Sequence, residues 1–358
     1  MSDTAPSILF VTRKWAPAIG GMETYSHRLT EELDRMADVE VVSLPGRGDG
    51  SPPSSTRLAL FPLTFLKRWV ARKSRPDVLH LGDMALWPLG LVSAFTPRGA
   101  QLVLSAHGTD VAYHRRGGVK GRLYGAYLKL GARLLRKARV IANSAATRDV
   151  AAETGWNTAR VVPLATDLPA GDPAKAHNGR ILFAGRLVAR KGCGWFIREV
   201  LPQLPESITL NVAGTVWDEA EGKALEHPRV NFLGPLDQQA LAKAYGEALC
   251  VVIPNVAVPS GEYEGFGLIA PEAALCGGVV LAAKCDGLLD AVIDGETGML
   301  IPSGDAQAWI AAIGEIANWT PSQREAFVTH AQMRAQQAYS WDRVARDTLQ
   351  AYRVDAAG

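Results

Sequence analysis

The chain has 358 residues, 47% hydrophobic and 21% charged, proportions that exclude a disordered or collagen-like polypeptide and fit two domains of roughly 100–200 residues. The formal charge is only +2, yet residues 1–170 hold 23 Lys/Arg against 14 Asp/Glu, while residues 171–358 hold 15 against 22. No apolar stretch is long enough to span a membrane, the N-terminal Met-Ser-Asp-Thr-Ala-Pro has no basic signal region, and Cys193, Cys250, Cys276 and Cys285 lack C-x-x-C spacing, so we expect a cytoplasmic protein with reduced thiols.

In chain order, residues 8–12 read as a buried strand, followed by a helix over about 22–36 and a strand at 39–44. Further strands are expected at 76–81, 101–106 and 139–143, separated by helix-length sequence, with a loop at 46–55. Near-continuous apolar strands alternating with helices indicate a parallel sheet covered on both faces. Residues 168–179 break the pattern with turn formers, as a linker does. The alternation restarts with strands at 180–185, 208–214, 230–234, 250–254 and 279–282. The expected fold is α/β, with two doubly wound Rossmann-like domains, 1–168 and 169–340, facing across a cleft beyond the carboxyl ends of their strands.

Two acid-free basic windows carry the charge of the first half. Residues 57–75 contain Arg57, Lys67, Arg68, Arg72, Lys73 and Arg75 among Phe61, Phe65, Leu66 and Trp69. A second window between Asp110 and Asp149 holds ten cations, chiefly over residues 113–139. Cations interleaved with apolar side chains suit an anionic membrane surface. Solvated helix faces that steer anionic ligands are the alternative, with the aromatic residues in the core. No nucleic-acid-binding motif accompanies the charge, so nucleic acid is not an expected partner.

The loops after the strands carry the chemistry. Gly20-Gly21 stands between the first strand and a helix, where paired glycines admit a phosphate to the backbone and helix N–H groups; a plain tight turn explains them as well. The spacing is not the dinucleotide fingerprint, so a nicotinamide cofactor is not indicated. His107-Gly-Thr109-Asp110 follows another strand, where the alternative is a helix cap with an incidental histidine. In the second half, Arg186, Arg190 and Lys191 lie in a loop bounded by Gly185 and Gly192. Such a loop can clamp a diphosphate, or it is a basic surface loop. Glu264 and Glu272 flank a glycine-bearing turn, with a helix expected from near Pro271. One carboxylate at a strand end and one on the helix can both accept from the hydroxyls of a polyol, and the intervening amides can hold a phosphate. An acidic helix N-terminus is the simpler reading.

With these motifs the chain resembles the retaining glycosyltransferases of family 4, whose architecture of two Rossmann domains is known as GT-B. The resemblance spans nearly the whole chain: Gly20-Gly21, His107 in His-Gly-Thr-Asp, Arg186 and Lys191, Glu264 and Glu272, residues 294–300, and Tyr339-Ser-Trp341 before a final helix. The family often has Pro where Val279 stands, and Gly-Gly-x-x-Glu where this chain has Asp286-Gly287-Leu-Leu-Asp290.

The resemblance implies a hexosyltransferase-type enzyme that takes a UDP- or GDP-linked sugar, held mostly by the second domain, to an acceptor held by the first. It implies that residues 341–358 form a helix returning to the first domain. Arg186 and Lys191 would take leaving-group charge, Glu264 a donor-sugar hydroxyl, and the Gly267 and Leu268 amides the sugar or phosphate. Glu272 would hold the ribose, Gly20 and Gly21 would help hold the nucleotide, and His107 would approach the transferred sugar. No Asp-x-Asp pair or His/Cys cluster occurs, so neither a metal nor another cofactor is expected. The mechanism implied is same-face substitution through an oxocarbenium-like transition state, the departing phosphate accepting the acceptor's proton, rather than a glycosidase acid and nucleophile. The basic windows add the expectation of a lipid-linked or glycan acceptor and of peripheral association with the inner membrane face. Rival readings are a nucleotide-sugar epimerase of the same fold, a transferase with a small soluble acceptor, and a non-catalytic sugar- or lipid-binding module.

Overall fold

A computed structural model of the chain describes residues 5–18, 20–94 and 100–353, so Ile19 of the Gly20-Gly21 loop lies outside the described residues. The chain parts into two compact units, Met1–Leu164 with Trp341–Gly358, and Ala165–Ser340.

The first unit contains strands β1 (Ser7–Trp15), β2 (Asp38–Pro45), β3 (Val78–Leu81), β4 (Gln101–Ala106), β5 (Arg139–Ala142) and β6 (Ala159–Val161). Between them run α1 (Gly21–Asp34), α2 (Ser55–Ala71), α3 (Leu91–Ala94), α4 (Thr109–Ala112), α5 (Gly118–Leu134) and α6 (Ala145–Ala152). The strands form one parallel sheet in the order β2-β1-β3-β4-β5-β6. Ile8, Leu9, Phe10 and Val11 of β1 are buried on both faces, which is why that strand reads as an unbroken apolar run. On α1, Tyr25, Leu29 and Leu33 recur every fourth residue and turn into the core. Ser54 and Ser144 cap α2 and α6 through their hydroxyls.

The second unit repeats the plan with β7 (Arg180–Ala184), β8 (Thr209–Ala213), β9 (Val230–Gly234), β10 (Val251–Ile253), β11 (Val280–Ala283) and β12 (Met299–Ile301). Its helices are α7 (Cys193–Trp195), α8 (Glu219–Ala224), α9 (Gln238–Glu247), α10 (Ile269–Leu275), α11 (Leu288–Ala291), α12 (Ala306–Ala317) and α13 (Pro321–Ala338). The parallel order is β12-β11-β10-β7-β8-β9, so the direction of winding reverses between β7 and β10. Two strands, β6 and β12, were not expected; each has only three residues, too few for a hydropathy pattern. Helix α10 starts two residues before Pro271, which is tolerated because an N–H in the first turn would have no intrahelical carbonyl to bond.

The last helix, α14 (Trp341–Arg353), belongs to the first unit. It packs on α1 and buries Trp341, Val344, Ala345, Leu349 and Tyr352. Arg139 donates to the carbonyls of Ala351 and Tyr352 at 3.0 and 2.8 Å, a favourable place for a cation at a helix C-terminus. The Tyr352 hydroxyl bonds His80 Nδ1 at 2.6 Å, His80 Nε2 bonds Ser105 Oγ at 2.8 Å, and Ser105 Oγ bonds the Tyr25 hydroxyl at 2.9 Å. Complete burial pushes His80 down to about 3, so this chain of hydrogen bonds runs through a neutral imidazole.

Candidate active site

In the second unit the loops after β7 and β10 diverge at the point where the winding reverses, the place where open α/β sheets hold ligands. Gly192 fixes the first of these loops: its φ is +69° and an added Cβ would lie 1.9 Å from the Pro254 carbonyl oxygen. Only glycine fits there, and the close approach presses the Arg190-Lys191 turn onto the end of β10.

The sequence places Glu264 at a strand end, but β10 stops at Ile253 and Glu264 lies in the long loop beyond it. It is held there from both sides of its backbone. Its N–H donates to Asp286 Oδ2 at 3.2 Å and its carbonyl accepts from Gly287 N at 3.0 Å. The Asp286-Gly287 departure from the family pattern is therefore the anchor of the Glu264 loop. Asp286 takes a left-handed φ of 50° to make the turn, a conformation that Asp tolerates better than most residues.

The Glu264 side chain gathers Lys191 Nζ, Arg190 (2.9 Å) and Asn255 Nδ2 (3.2 Å), and all three bonds fall on Oε2. Burial alone would push this carboxyl up; the Lys191 and Arg190 charges outweigh it and hold the group at about 2. Arg186 is not part of this group. It is exposed, with its guanidinium 5.2 Å from the centre of the Trp217 ring. The sequence names Arg190 among the loop cations without its partner, and it does not name Asn255, which directly follows Pro254 at the carboxyl end of β10, a topological signal.

Glu272, on α10, has different company. It accepts a 3.3 Å bond from the Tyr245 hydroxyl, and burial pushes its carboxyl up to about 7. Gly267 precedes α10 at φ +94°, where an added Cβ would come within 2.5 Å of Leu288. Leu268 stands at the helix N-cap.

In the first unit, His107 follows β4. Its Nε2 meets the Gly82 carbonyl at 3.0 Å, and the Tyr25 ring packs edge-on at 4.5 Å. Asp110 does not cap a helix as the sequence allows. Its carboxylate instead accepts from His107 N at 2.8 Å and Met84 N at 3.2 Å, tying the His107 loop to the loop after β3. Gly20 caps α1, and the group that approaches its backbone is the chain's own Glu23, whose Oε2 would lie 2.5 Å from an added Cβ. Glu23 in turn pairs with Lys14 at 3.3 Å. Gly21 opens the helix and is exposed.

The basic windows divide on inspection. Phe61 and Phe65 are core, and Trp69 is half-buried beside Phe65. The outward side of α2 carries Leu60, Leu63, Leu66 and Val70 instead, at 58, 62, 41 and 80% exposure. On α5, Val119, Leu123, Leu130 and Leu134 are also exposed. Arg72, Arg115 and Arg139 are committed internally, to Glu40, Glu153 and the end of α14, while Arg57, Lys67, Arg68, Arg122 and Lys129 face solvent. Among the described residues no helix is long and apolar enough to cross a membrane.

Two family models match the chain in tandem: Glycosyltransferase Family 4 over residues 19–168 and Glycosyl transferases group 1 over residues 178–318. A D-inositol 3-phosphate glycosyltransferase of Kribbella flavida is 32% identical over 200 residues, covering 51% of this chain and 41% of that protein. The chain thus matches less than half the length of that relative. A glycogen synthase of Mycobacterium tuberculosis is 28% identical over 310 residues, covering 81% and 72%. The crystal structure of Anabaena Alr3699/HepE in complex with UDP and glucose superposes with a TM-score of 0.68 at 19% identity, covering 96% of this chain and 98% of that one. Two parallel six-stranded sheets and two matching models in sequence place this chain among the family 4 glycosyltransferases, with the GT-B architecture.

Proposed function

We propose that the chain is a retaining glycosyltransferase that moves a sugar from a UDP- or GDP-linked donor to a lipid-linked or polysaccharide-precursor acceptor. The observation that carries this reading is the Arg190–Lys191–Glu264 cluster at the winding reversal of the second unit. Two cations against one carboxylate leave a net positive charge, suited to a diphosphate and to the charge that builds on it as the glycosidic bond breaks. Arg186, exposed in the same loop, is assigned to the outer part of the diphosphate. Glu264 Oε1, which none of the three bonds to this carboxylate uses, is the acceptor assigned to a donor-sugar hydroxyl. The Gly267 and Leu268 amides are assigned to sugar or phosphate, Glu272 to the ribose, and Gly20 and Gly21 to the nucleotide. His107 is assigned to the transferred sugar. Substitution on one face of the sugar, with the departing phosphate taking the acceptor's proton, needs no protein nucleophile and no metal. That HepE was crystallised with UDP and glucose supports the donor class. The exposed leucines and cations of α2 support an acceptor presented at an anionic membrane, with the protein peripheral on its inner face. The D-inositol 3-phosphate glycosyltransferases among the relatives favour, as a second reading, a small soluble acceptor.

Incubation with UDP- and GDP-sugars tests the class. A transferase releases nucleoside diphosphate in proportion to acceptor, with excess EDTA present. An epimerised donor without acceptor identifies an isomerase, and neither product leaves a binding module. Lys191→Ala should lower turnover by roughly 10²–10³-fold, the cost of removing one electrostatic partner of a developing charge, with thermal unfolding preserved. Near-normal turnover in that variant removes the clamp from the mechanism.

A further inference from the structure

We propose that the first unit holds the hydrocarbon chain of an anionic, amphiphilic lipid in a crevice behind α2. A cavity of about 250 Å³ lies there, with Leu58, Phe61 and Pro62 of α2 on one wall and Leu86, Pro88 and Leu89 on the other. Ala85, Tyr127 and Arg13 complete its lining. One water takes roughly 30 Å³ of liquid, so the space holds about eight groups of that size, a segment of one alkyl chain.

The far wall is fixed in advance. Asp83, completely buried, accepts from Ala85 N and from Arg13 Nε, both at 2.9 Å. The Tyr127 hydroxyl donates to the Ala85 carbonyl at 2.7 Å. The crevice is therefore part of the folded structure, and filling it gains contacts at little cost in reorganisation.

Continuity and charge identify the occupant. Pro62 is exposed and lies one turn from Leu58 on one side and Leu66 on the other, so the crevice wall runs into the outward leucine face of α2. A chain leaving a bilayer docked on that face reaches the crevice along apolar surface. At the other end, the Arg13 side chain is 31% exposed; Asp83 takes its Nε, and the remaining guanidinium N–H groups are the donors assigned to a phosphate headgroup. Asp83 adjoins Gly82, whose carbonyl meets His107, so the headgroup would rest beside the residue assigned to the transferred sugar. This proposal deepens the reading that the acceptor is a lipid, and rests on it.

The test uses the full-length protein with inorganic phosphate, butyl phosphate and octyl phosphate, each below its micellar concentration, titrated calorimetrically. Each buried methylene is worth about fourfold in affinity, so octyl phosphate should bind on the order of a hundred-fold more tightly than butyl phosphate, and inorganic phosphate most weakly. Ala85→Trp fills the crevice from its far wall and Leu58→Trp from α2; in whichever variant melts cooperatively the octyl advantage should fall to a few-fold. Leu63→Glu, on the outward face, should keep the advantage. Equal affinity of the wild type for the two alkyl phosphates overturns the proposal, as does an undiminished advantage in a filled variant or its loss in Leu63→Glu. No sugar donor is used, so a negative result is distinct from failure of the transferase reading, which the nucleoside diphosphate assay decides.

Discussion

Glu264 and Glu272 have the same side chain and both are largely withdrawn from water, yet one is held at about 2 and the other pushed up to about 7. Burial disfavours both carboxylates; Glu264 has two cations against it, while Glu272 has the Tyr245 hydroxyl. The two therefore bear on stability with opposite sign. Glu272 keeps its proton longer in the folded than in the unfolded chain, so between about pH 4.5 and 7 the folded state binds more protons and stability falls as pH rises. Glu264 contributes stability that is present above its unfolded pKa and lost only as pH falls toward 2, below the range in question. From pH 5 to pH 8 the Glu272 contribution is a loss of roughly 2–3 kcal/mol, at 1.36 kcal/mol per pKa unit. Urea unfolding of wild type and Glu272→Gln at both pH values should show that loss in the wild type and a flatter profile in the variant. The same decline in both would assign it to other groups. The charge types and approximate places of these residues were legible in the sequence. Their partners were not, because Arg190 and Tyr245 reach them only through the packing of separate loops and helices.

At the scale of elements, α2 shows why periodicity has limits. Its apolar residues mark a helix, but they cover two opposite sides, and a pattern alone does not say which side meets the sheet. Phe61 and Phe65 pack inward, leaving Leu60, Leu63, Leu66 and Val70 outside with Lys67 and Arg68. Leucines flanked by cations on an acid-free segment are what an interfacial helix needs. Cations at such a surface contribute about 1 kcal/mol each, within a Debye length. Co-sedimentation should show binding to anionic but not neutral liposomes, weakened by salt, by Leu63→Glu, and by Lys67→Glu with Arg68→Glu. Equal recovery in the supernatant with both lipids at low salt would sink the membrane reading and favour a soluble acceptor.

At the scale of the whole molecule, α14 joins the unit that holds β1, across the whole of the second unit in sequence. α14 brings Trp341, Val344, Leu349 and Tyr352 into the first unit's core, at roughly 1.5–3 kcal/mol for each fully buried side chain. Their sum is comparable to the 5–15 kcal/mol that holds a typical domain together. Removing the chain after Ser340 should therefore abolish the first unit's melting transition in calorimetry while the second unit, 165–340, keeps its own. A first transition that survives within a few degrees would show that α14 is dispensable.

The apolar strands, their alternation with helices and the glycine-bounded loops follow from local chemistry: alternating elements and tight turns need particular residues close together in the chain, so Gly192, Lys191, His107 and Glu264 could be named without a structure. Tertiary structure alone decided which cation meets Glu264, because Arg186 and Arg190 are four positions apart in one loop and only the approach of Gly192 to Pro254 selects between them. It likewise decided that Asp286-Gly287 anchors the Glu264 loop and that the leucines of α2 face outward. These are contacts between segments distant in sequence, set by how sheet and helices pack, and no local pattern of residue types carries that information.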